Sequence, residues 1–177
     1  MKKTIKKTSS EKSIKSGWNV FFCGTGGQGV LTAAEICAVA AMDSGYHVKK
    51  SEVHGMAQRG GSVESHVRFG KCIYSPLIEP ATADILVCFN QGEGERLNNY
   101  IKKGGKSLLE FLKNPQCRPA DKRFSNTFFL GILSAFLPLK DETWLGALKK
   151  KLKRNITENE QAFFEGKKYV SEKFSIK

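Results

Sequence analysis

The chain has 177 residues and a mass of 19.7 kDa, enough for one domain and too little for two of ordinary size. Hydrophobic residues make up 40% and charged residues 26% of the sequence, a composition typical of globular proteins that excludes a disordered chain. No uninterrupted apolar run approaches the roughly 18–20 residues that span a bilayer, so a membrane protein is excluded. The formal net charge of +12 suggests nucleic acid or another polyanion as a possible partner.

The positive charge is concentrated in two places. Six lysines lie within residues 1–16, and five more basic residues lie between Lys149 and Arg154. Neither run is interleaved with aromatic residues or belongs to a nucleic-acid recognition motif, so we interpret them as a solvated tail and a solvated helix face. A nucleic-acid-binding protein is the third-ranked alternative, and it predicts a polyanion affinity that falls steeply with salt.

The five cysteines are scattered and include no C-x-x-C pair. Three of them lie in apolar stretches, where a free thiol behaves as a small hydrophobic group. The set therefore predicts neither a disulfide framework nor an iron–sulfur or zinc site, and it indicates a reducing, cytoplasmic compartment. Residues 1–16 lack the apolar core and cleavage site of a secretory signal, and we expect a disordered basic tail there.

Hydrophobic patterning predicts an α/β chain. Strands are expected at residues 18–23, 47–52, 62–69, 83–89 and 107–111, with a long apolar helix at residues 30–44. Three helices are expected to follow, at residues 127–137, 142–153 and from residue 157 onward. We predict a Rossmann-like, mostly parallel sheet flanked by helices, with a glycine-rich loop after the first strand and a helical C-terminus. Residues 17–177 are expected to form a single domain.

A glycine-rich segment, Gly24-Thr-Gly-Gly-Gln-Gly29, lies between the first predicted strand and the first helix. Glycines let backbone N–H groups approach a phosphate, and the helix N-terminus adds a favourable dipole. Glu52 ends the second predicted strand, near the position where dinucleotide-binding folds hold a ribose hydroxyl. A stand-alone nucleotide-binding module is therefore one hypothesis, with close strand–helix packing as the alternative role of the glycines. The chain has no room for the substrate-binding half of a nicotinamide dehydrogenase.

A second group of polar residues occupies the segment Ser51-Glu-Val-His-Gly-Met-Ala-Gln-Arg-Gly-Gly-Ser62. This loop is expected at the same carboxyl edge of the sheet as the glycine-rich segment, where it could grip an anion or dock a partner subunit. His54 has no nucleophile or second acid–base group placed to work with it, so we predict a hydrogen-bonding role. Arg59 suits a phosphate or a partner carboxylate, because its guanidinium forms two parallel hydrogen bonds. The sequence predicts no self-sufficient active site and no metal site.

Three stretches, residues 24–35, 50–63 and 65–68, carry a resemblance to a known family. They resemble the beta subunits of indolepyruvate:ferredoxin oxidoreductases, within the gamma-domain family of 2-oxoacid:ferredoxin oxidoreductases. The Gly-Gly-Gln-Gly segment is shared across that wider family, whereas Ser-Glu-Val-His-Gly-Met-Ala-Gln-Arg-Gly-Gly-Ser is specific to the indolepyruvate branch. The resemblance covers about residues 17–173.

The resemblance implies a subunit that is inactive alone and has no catalytic residue of its own. Its partner would be a large alpha subunit carrying thiamine diphosphate and iron–sulfur clusters. The complex would convert indolepyruvate or another aryl pyruvate to an arylacetyl-CoA and pass electrons to ferredoxin. CoA would be a cosubstrate, and this chain would hold no cofactor tightly. By the same resemblance, the residues expected to contact the ligand or a neighbouring domain are Gly24, Thr25, Gly26, Gly27, Gln28, Gly29, His54, Gln58 and Arg59.

Residues 110–126 depart from the family pattern. Family members usually carry a further strand–helix–strand between the strand predicted at residues 107–111 and the helix predicted at residues 127–137. A shortened sheet would remove cover from the core or leave an open strand for a partner, and it puts the retention of activity in question. The lysine-rich tail also lies outside the family pattern.

Overall fold

The computed structural model describes residues 17–55 and 60–174, apart from the side chains of His54 and Phe174. The predicted disordered tail at residues 1–16 lies outside these ranges. The strands of the described part are β1 (Gly17–Thr25), β2 (His47–His54), β3 (Ser62–Gly70), β4 (Ala83–Cys88) and β5 (Ile101–Ser107). They form one sheet in the order β2-β3-β1-β4-β5, in which β3 is antiparallel to both of its neighbours and the other four strands share one direction. The predicted mostly parallel sheet is confirmed.

Helices cover both faces of the sheet and end the chain, as predicted. The α-helices of the described residues are α1 (Val30–Asp43), α2 (Gln91–Arg96), α3 (Leu109–Lys113), α4 (Ser125–Ser134), α5 (Asp141–Lys151) and α6 (Ile156–Phe174). None of these helices combines the length and the apolar character needed to cross a membrane.

The fifth strand lies earlier than predicted. It spans Ile101–Ser107, and the residues expected to continue it form α3 instead. The run Lys-Lys-Gly-Gly-Lys inside β5 shows no hydrophobic alternation, which hid the strand from pattern analysis. Gly104 has a φ of 77°, and the register against β4 shifts at this point, so the two glycines accommodate a bulge. Among the described residues no strand follows β5, so β5 forms an edge of the sheet. An open edge strand is one of the two outcomes expected from the shortened segment.

Helix α1 packs on one face of the sheet within the larger core. Nine of its fourteen residues are buried, and the sheet residues beneath it include Val20, Phe22 and Val67. Helix α5 covers α1 from outside, with Trp144 fully buried and its ring 5.9 Å from that of Phe163 on α6. The cover required by so apolar a helix is therefore supplied by the sheet, α4 and α5.

The lysines of α5 lie exposed at the protein surface, in agreement with the predicted solvated helix face. Three of its lysines form ion pairs with acids on neighbouring helices, because α5 lies across α1 and beside α6. The pairs are Lys151 with Glu35 at 2.7 Å, Lys150 with Asp43 at 2.7 Å and Lys149 with Glu160 at 3.2 Å. Hydrogen bonds from Lys151 and Lys50 hold the pKa of Glu35 below its usual value.

The opposite face of the sheet holds a smaller core under α2, α3 and the loop after β3. Its buried members include Phe21, Leu86 and Leu109. His66 is also buried here; its ring stacks on Phe21 at 4.3 Å, and its Nδ1 accepts the N–H of Ile78. Burial lowers the pKa of His66, so this histidine is a neutral, structural residue.

Helices α4 and α6 cross at a pair of glycines. A Cβ atom on Gly131 would overlap the carbonyl oxygen of Phe163, and one on Gly166 would overlap that of Phe128. The two backbones are therefore in direct contact. At the same interface Thr127 Oγ1 donates to Asn159 Oδ1 at 2.6 Å.

The crossing predicts opposite effects for two Gly→Ala substitutions. Gly131→Ala should lower the free energy of unfolding by about 2 kcal/mol or more, because the new methyl group forces α4 and α6 apart. Gly146→Ala is the matched control, since a Cβ there meets nothing within 4 Å in the middle of α5. It should raise the free energy of unfolding by about 0.5–1 kcal/mol through helix propensity. Urea denaturation measures both, and equal effects would contradict the backbone contact.

Candidate functional site

The glycine loop (residues 24–29) lies at the carboxyl end of β1, beside the loop that joins β2 to β3. The N–H of Gly26 donates to the carbonyl of Gly61 at 2.9 Å, and the N–H of Gly55 donates to the carbonyl of Ser62 at 2.9 Å. Both loops meet at one edge because β1 and β2 point the same way. The predicted meeting of the two loops is confirmed for their described ends.

Three of the loop's six N–H groups donate within the protein, and Gly24 belongs to the paired strand β1. Thr25 donates to the side-chain oxygen of Gln28 at 2.8 Å, Gly26 donates to Gly61, and Gln28 donates to the carbonyl of Thr25 at 3.2 Å. Among the described residues, the N–H groups of Gly27 and Gly29 have no acceptor. The loop therefore offers an anion two backbone donors rather than six.

The side chain of Gln28 holds the loop in place. Its Oε1 accepts the N–H of Thr25, and its Nε2 donates to the carbonyl of Phe89 at 3.0 Å. Phe89 directly follows β4, and its own N–H donates to the carbonyl of Cys23 on β1. Gln28 thus ties the end of β1 to the end of β4, and both ends of its amide are occupied.

Three glycines of the loop are required for different physical reasons. A Cβ atom on Gly24 would lie 2.8 Å from both Gln28 Oε1 and a methyl group of Val30, so Gly24 permits close packing. Gly27 has a φ of 96° and faces open space, so only its backbone conformation requires glycine. Gly29 has a φ of 76°, and a Cβ there would lie 2.5 Å from Asn126 Nδ2. The close-packing alternative therefore holds for Gly24 and Gly29.

A pocket of about 420 Å³ lies between the glycine loop, the first turn of α1 and the start of β3; we call it the α1 pocket. Its lining includes Gly27, Gly29, Thr32 and Ser62. The N-cap residue of α1 provides no side-chain hydrogen bond, and the first turn holds no acidic residue. The unpaired N–H groups and the positive end of the helix dipole therefore favour an anion in this pocket.

Glu52 does not lie where a dinucleotide fold would need it. Strand β3 is inserted between β1 and β2, so Glu52 is two strands, or roughly 10 Å, from β1. Dinucleotide-binding folds place the second strand directly beside the first. Glu52 instead accepts a hydrogen bond from Lys50 at 2.6 Å. The ribose-binding role predicted for Glu52 from its spacing is wrong.

The structure leaves part of the predicted site undescribed. His54 ends β2, but its side chain and the whole of Gln58 and Arg59 lie outside the described residues. Within the described ranges, no group of three or more His, Cys, Asp or Glu side chains could hold a metal ion. The five cysteines are free thiols.

Two residues at the glycine loop escaped the sequence analysis. Phe89 accepts from Gln28, and Asn126 in the first turn of α4 lies against Gly29. Both are far from the loop in sequence, and neither forms part of a local motif. Their only sequence signal is position, since Phe89 ends a predicted strand and Asn126 precedes a predicted helix.

Residues 19–122 match the family described as pyruvate ferredoxin/flavodoxin oxidoreductase. The chain is 47% identical over 88 residues to the indolepyruvate oxidoreductase subunit IorB of Thermococcus kodakarensis. That alignment covers 50% of this chain and 44% of the relative, so the matched part spans less than half of the relative's length.

Two solved structures share the fold. The gamma subunit of the keto/oxoacid ferredoxin oxidoreductase from Geobacter sulfurreducens is 22% identical, with a TM-score of 0.65 over 84% of this chain and 95% of that one. The 2-oxoglutarate:ferredoxin oxidoreductase from Magnetococcus marinus is 21% identical, with a TM-score of 0.71 over 89% of this chain and 32% of that one. Since the family match covers more than half of the sequence, this chain belongs to the pyruvate ferredoxin/flavodoxin oxidoreductase family.

Proposed function

We propose that this chain is the non-thiamine subunit of a 2-oxoacid:ferredoxin oxidoreductase whose substrate is indolepyruvate or another aryl pyruvate. The complex would decarboxylate the 2-oxo acid, transfer the acyl group to CoA and deliver the electrons to ferredoxin. The observation that carries the proposal is the 47% identity over 88 residues with an indolepyruvate oxidoreductase subunit. We further propose that residues 17–177 form a single domain of the gamma type.

The proposed function requires cofactors that a partner subunit would supply. We assign thiamine diphosphate and the iron–sulfur clusters to a large alpha subunit. This assignment rests on the similarity to subunits of indolepyruvate oxidoreductases. Five free thiols are consistent with a reducing compartment, and we propose the cytoplasm. CoA is the proposed cosubstrate, with no cofactor held tightly by this chain.

The α1 pocket is the proposed contact with a phosphate of CoA. The N–H groups of Gly27 and Gly29 and the first turn of α1 supply donors there. The Magnetococcus marinus enzyme of similar fold was solved with CoA bound. We propose that His54, Gln58 and Arg59 complete the contact from the neighbouring loop, or dock a partner domain. The residues proposed to shape the glycine loop are Gly24, Thr25, Gly26 and Gln28.

A stand-alone nucleotide-binding module remains the second candidate function. The two unpaired N–H groups of the glycine loop favour it. Glu52 lies two strands away from β1, so the ribose-binding acid expected of such a module is not in place. The two candidates differ in what they require, since the module would bind its ligand without any partner chain.

Co-expression with a large thiamine-dependent subunit tests the proposed function. We expect CoA-dependent reduction of a viologen dye that requires both chains, with indolepyruvate and phenylpyruvate turned over faster than pyruvate or 2-oxoisovalerate. Arg59→Ala should raise the KM for CoA about tenfold or more, because a charge-assisted hydrogen bond to phosphate is lost. Lys153→Ala, in the exposed turn after α5, is the control and should leave this KM unchanged.

Each other result has a defined meaning. A stable complex without turnover for any 2-oxo acid would indicate a degenerate subunit and refute the activity. Failure to form a complex with any such partner would refute the subunit proposal and favour the nucleotide-binding module. An unchanged KM for CoA in Arg59→Ala would refute the assigned contact alone.

The role of Gln28 gives a separate prediction. Gln28→Ala removes two hydrogen bonds that join β1 to β4 and should lower the free energy of unfolding by about 1 kcal/mol. Gln161→Ala is the control on the exposed face of α6 and should change it by less than about 0.5 kcal/mol. Urea denaturation measures both. A Gln28→Ala protein with normal stability and impaired CoA binding would show that Gln28 contacts the ligand directly.

A further inference from the structure

Strand β2 forms one edge of the sheet, and among the residues that the structure describes no strand pairs with its outer side. It spans eight residues, His47–His54, whereas strands are commonly about 5–6 residues long. The outer side of an edge strand carries a row of backbone donors and acceptors and is a template for pairing with another chain. The outer side of β2 is therefore a candidate interaction surface, which we call the β2 edge.

The hydrogen-bond ladder between β2 and β3 identifies the residues whose backbone faces outward. The N–H of Gly55 donates to the carbonyl of Ser62 at 2.9 Å, in continuation of the β2–β3 register. Along an antiparallel ladder, pairs that exchange hydrogen bonds alternate with pairs that do not. Counted back from Gly55, the backbone groups of Val48, Lys50 and Glu52 therefore point away from β3.

The side chains along the β2 edge carry balanced charge. Lys50 donates to Glu52 at 2.6 Å and also to Glu35 on α1, which pairs with Lys151 at 2.7 Å. These four residues and the first turn of α1 line a groove of about 280 Å³ beside β2. The net charge of +12 makes two copies of this chain repel each other. A surface with two acids and two lysines is a place where that repulsion is weak.

Two copies of β2 can pair antiparallel about a two-fold axis at Ser51. In this register Lys50 lies directly opposite Glu52 of the second copy, and the reverse pair forms on the other side of the axis. Both residues direct their backbone groups outward, so the two chains exchange hydrogen bonds at these positions. Opposite charges on directly opposed residues stabilise strand pairing, because their Cβ atoms lie about 4.5–5.5 Å apart. The sequence Lys-Ser-Glu at residues 50–52 is thus complementary to itself.

Neighbouring registers bring like charges together. An axis at Lys50 places the two Lys50 side chains opposite each other, and an axis at Glu52 does the same for the two Glu52 carboxylates. Like charges at directly opposed positions destabilise a strand pair. Lysines on an edge strand usually deter pairing with other strands, whereas on β2 they favour a single register with an identical strand.

The opposite face of β2 adds an apolar contact. With the axis at Ser51, Lys49 lies opposite Val53 of the second copy. Val53 is 48% exposed, and Lys49 is exposed as well. The methylene chain of Lys49 can cover Val53 while its ammonium group stays in water.

We propose that the β2 edge binds a second copy of this chain, and that the two five-stranded sheets join into one across a two-fold axis at Ser51. Ion pairs between Lys50 of each copy and Glu52 of the other set the register, and Val53 is covered on the opposite face. This self-association is separate from the proposed function, since neither a cofactor nor a subunit of another kind takes part in it.

Reversal of the charges on the β2 edge tests the proposal. Sedimentation equilibrium of the full chain should show a dimer. Lys50→Glu and Glu52→Lys each place like charges opposite one another and should each weaken dimerisation at least about tenfold. An equimolar mixture of the two variants should dimerise within about threefold of the original chain, because every opposed pair in the mixed dimer again joins a lysine to a glutamate.

Lys103→Glu is the matched control. Lys103 is exposed on β5, the other edge strand, and its substitution changes the net charge by the same amount as Lys50→Glu. It should weaken dimerisation less than about threefold. Lys50→Glu also loses the ion pair with Glu35 within its own chain, so circular dichroism should confirm that each variant is folded.

Four results would overturn the proposal. A chain that stays monomeric up to about 1 mM would have no such contact. A dimer that neither reversal weakens would use another surface. Folded variants whose mixture stays monomeric would refute the register at Ser51, and equal weakening by Lys103→Glu would mean that net charge alone controls association. No partner subunit or turnover enters the test, so its failure leaves the proposed oxidoreductase function intact.

Discussion

The amide of Gln28 joins the two strands whose carboxyl ends flank the glycine loop. Its Oε1 accepts from Thr25 at the end of β1, and its Nε2 donates to the carbonyl of Phe89 after β4. With these two bonds in place, the glycine loop has a defined shape, and only Gly27 and Gly29 present unpaired N–H groups. The shape of the glycine loop therefore depends on Gln28 as well as on the glycines. The sequence predicted Gln28 as a ligand contact, whereas in the structure its side chain links β1 to β4.

The sequence predicted the elements whose pattern is local and missed those set by distant contacts. The period-two alternation in residues 62–69 and the buried runs of β1 and β4 identified three strands correctly. Strand β5 was misplaced because its lysines and glycines show no alternation. The insertion of β3 between β1 and β2, which removes Glu52 from the site, is a long-range pairing without a local signal. For the same reason Asn126 could not be placed beside Gly29.

The carboxyl edge of the sheet is suited to an anion. Its described residues offer the N–H groups of Gly27 and Gly29 and the N-terminal end of α1. His66 lies in the core of the sheet instead, where burial lowers its pKa. Under the proposed function, this edge would orient a phosphate of CoA, and the partner subunit would hold thiamine diphosphate and the iron–sulfur clusters.

The glycine crossing of α4 and α6 has a consequence for the glycine loop. Asn126, in the first turn of α4, lies against Gly29, and α4 rests on α6 through Gly131 and Gly166. A displacement of α6 would therefore shift α4 and, through Asn126, reach the end of the glycine loop. A substitution at the crossing can thus alter the loop from a distance, without changing any residue of the loop itself.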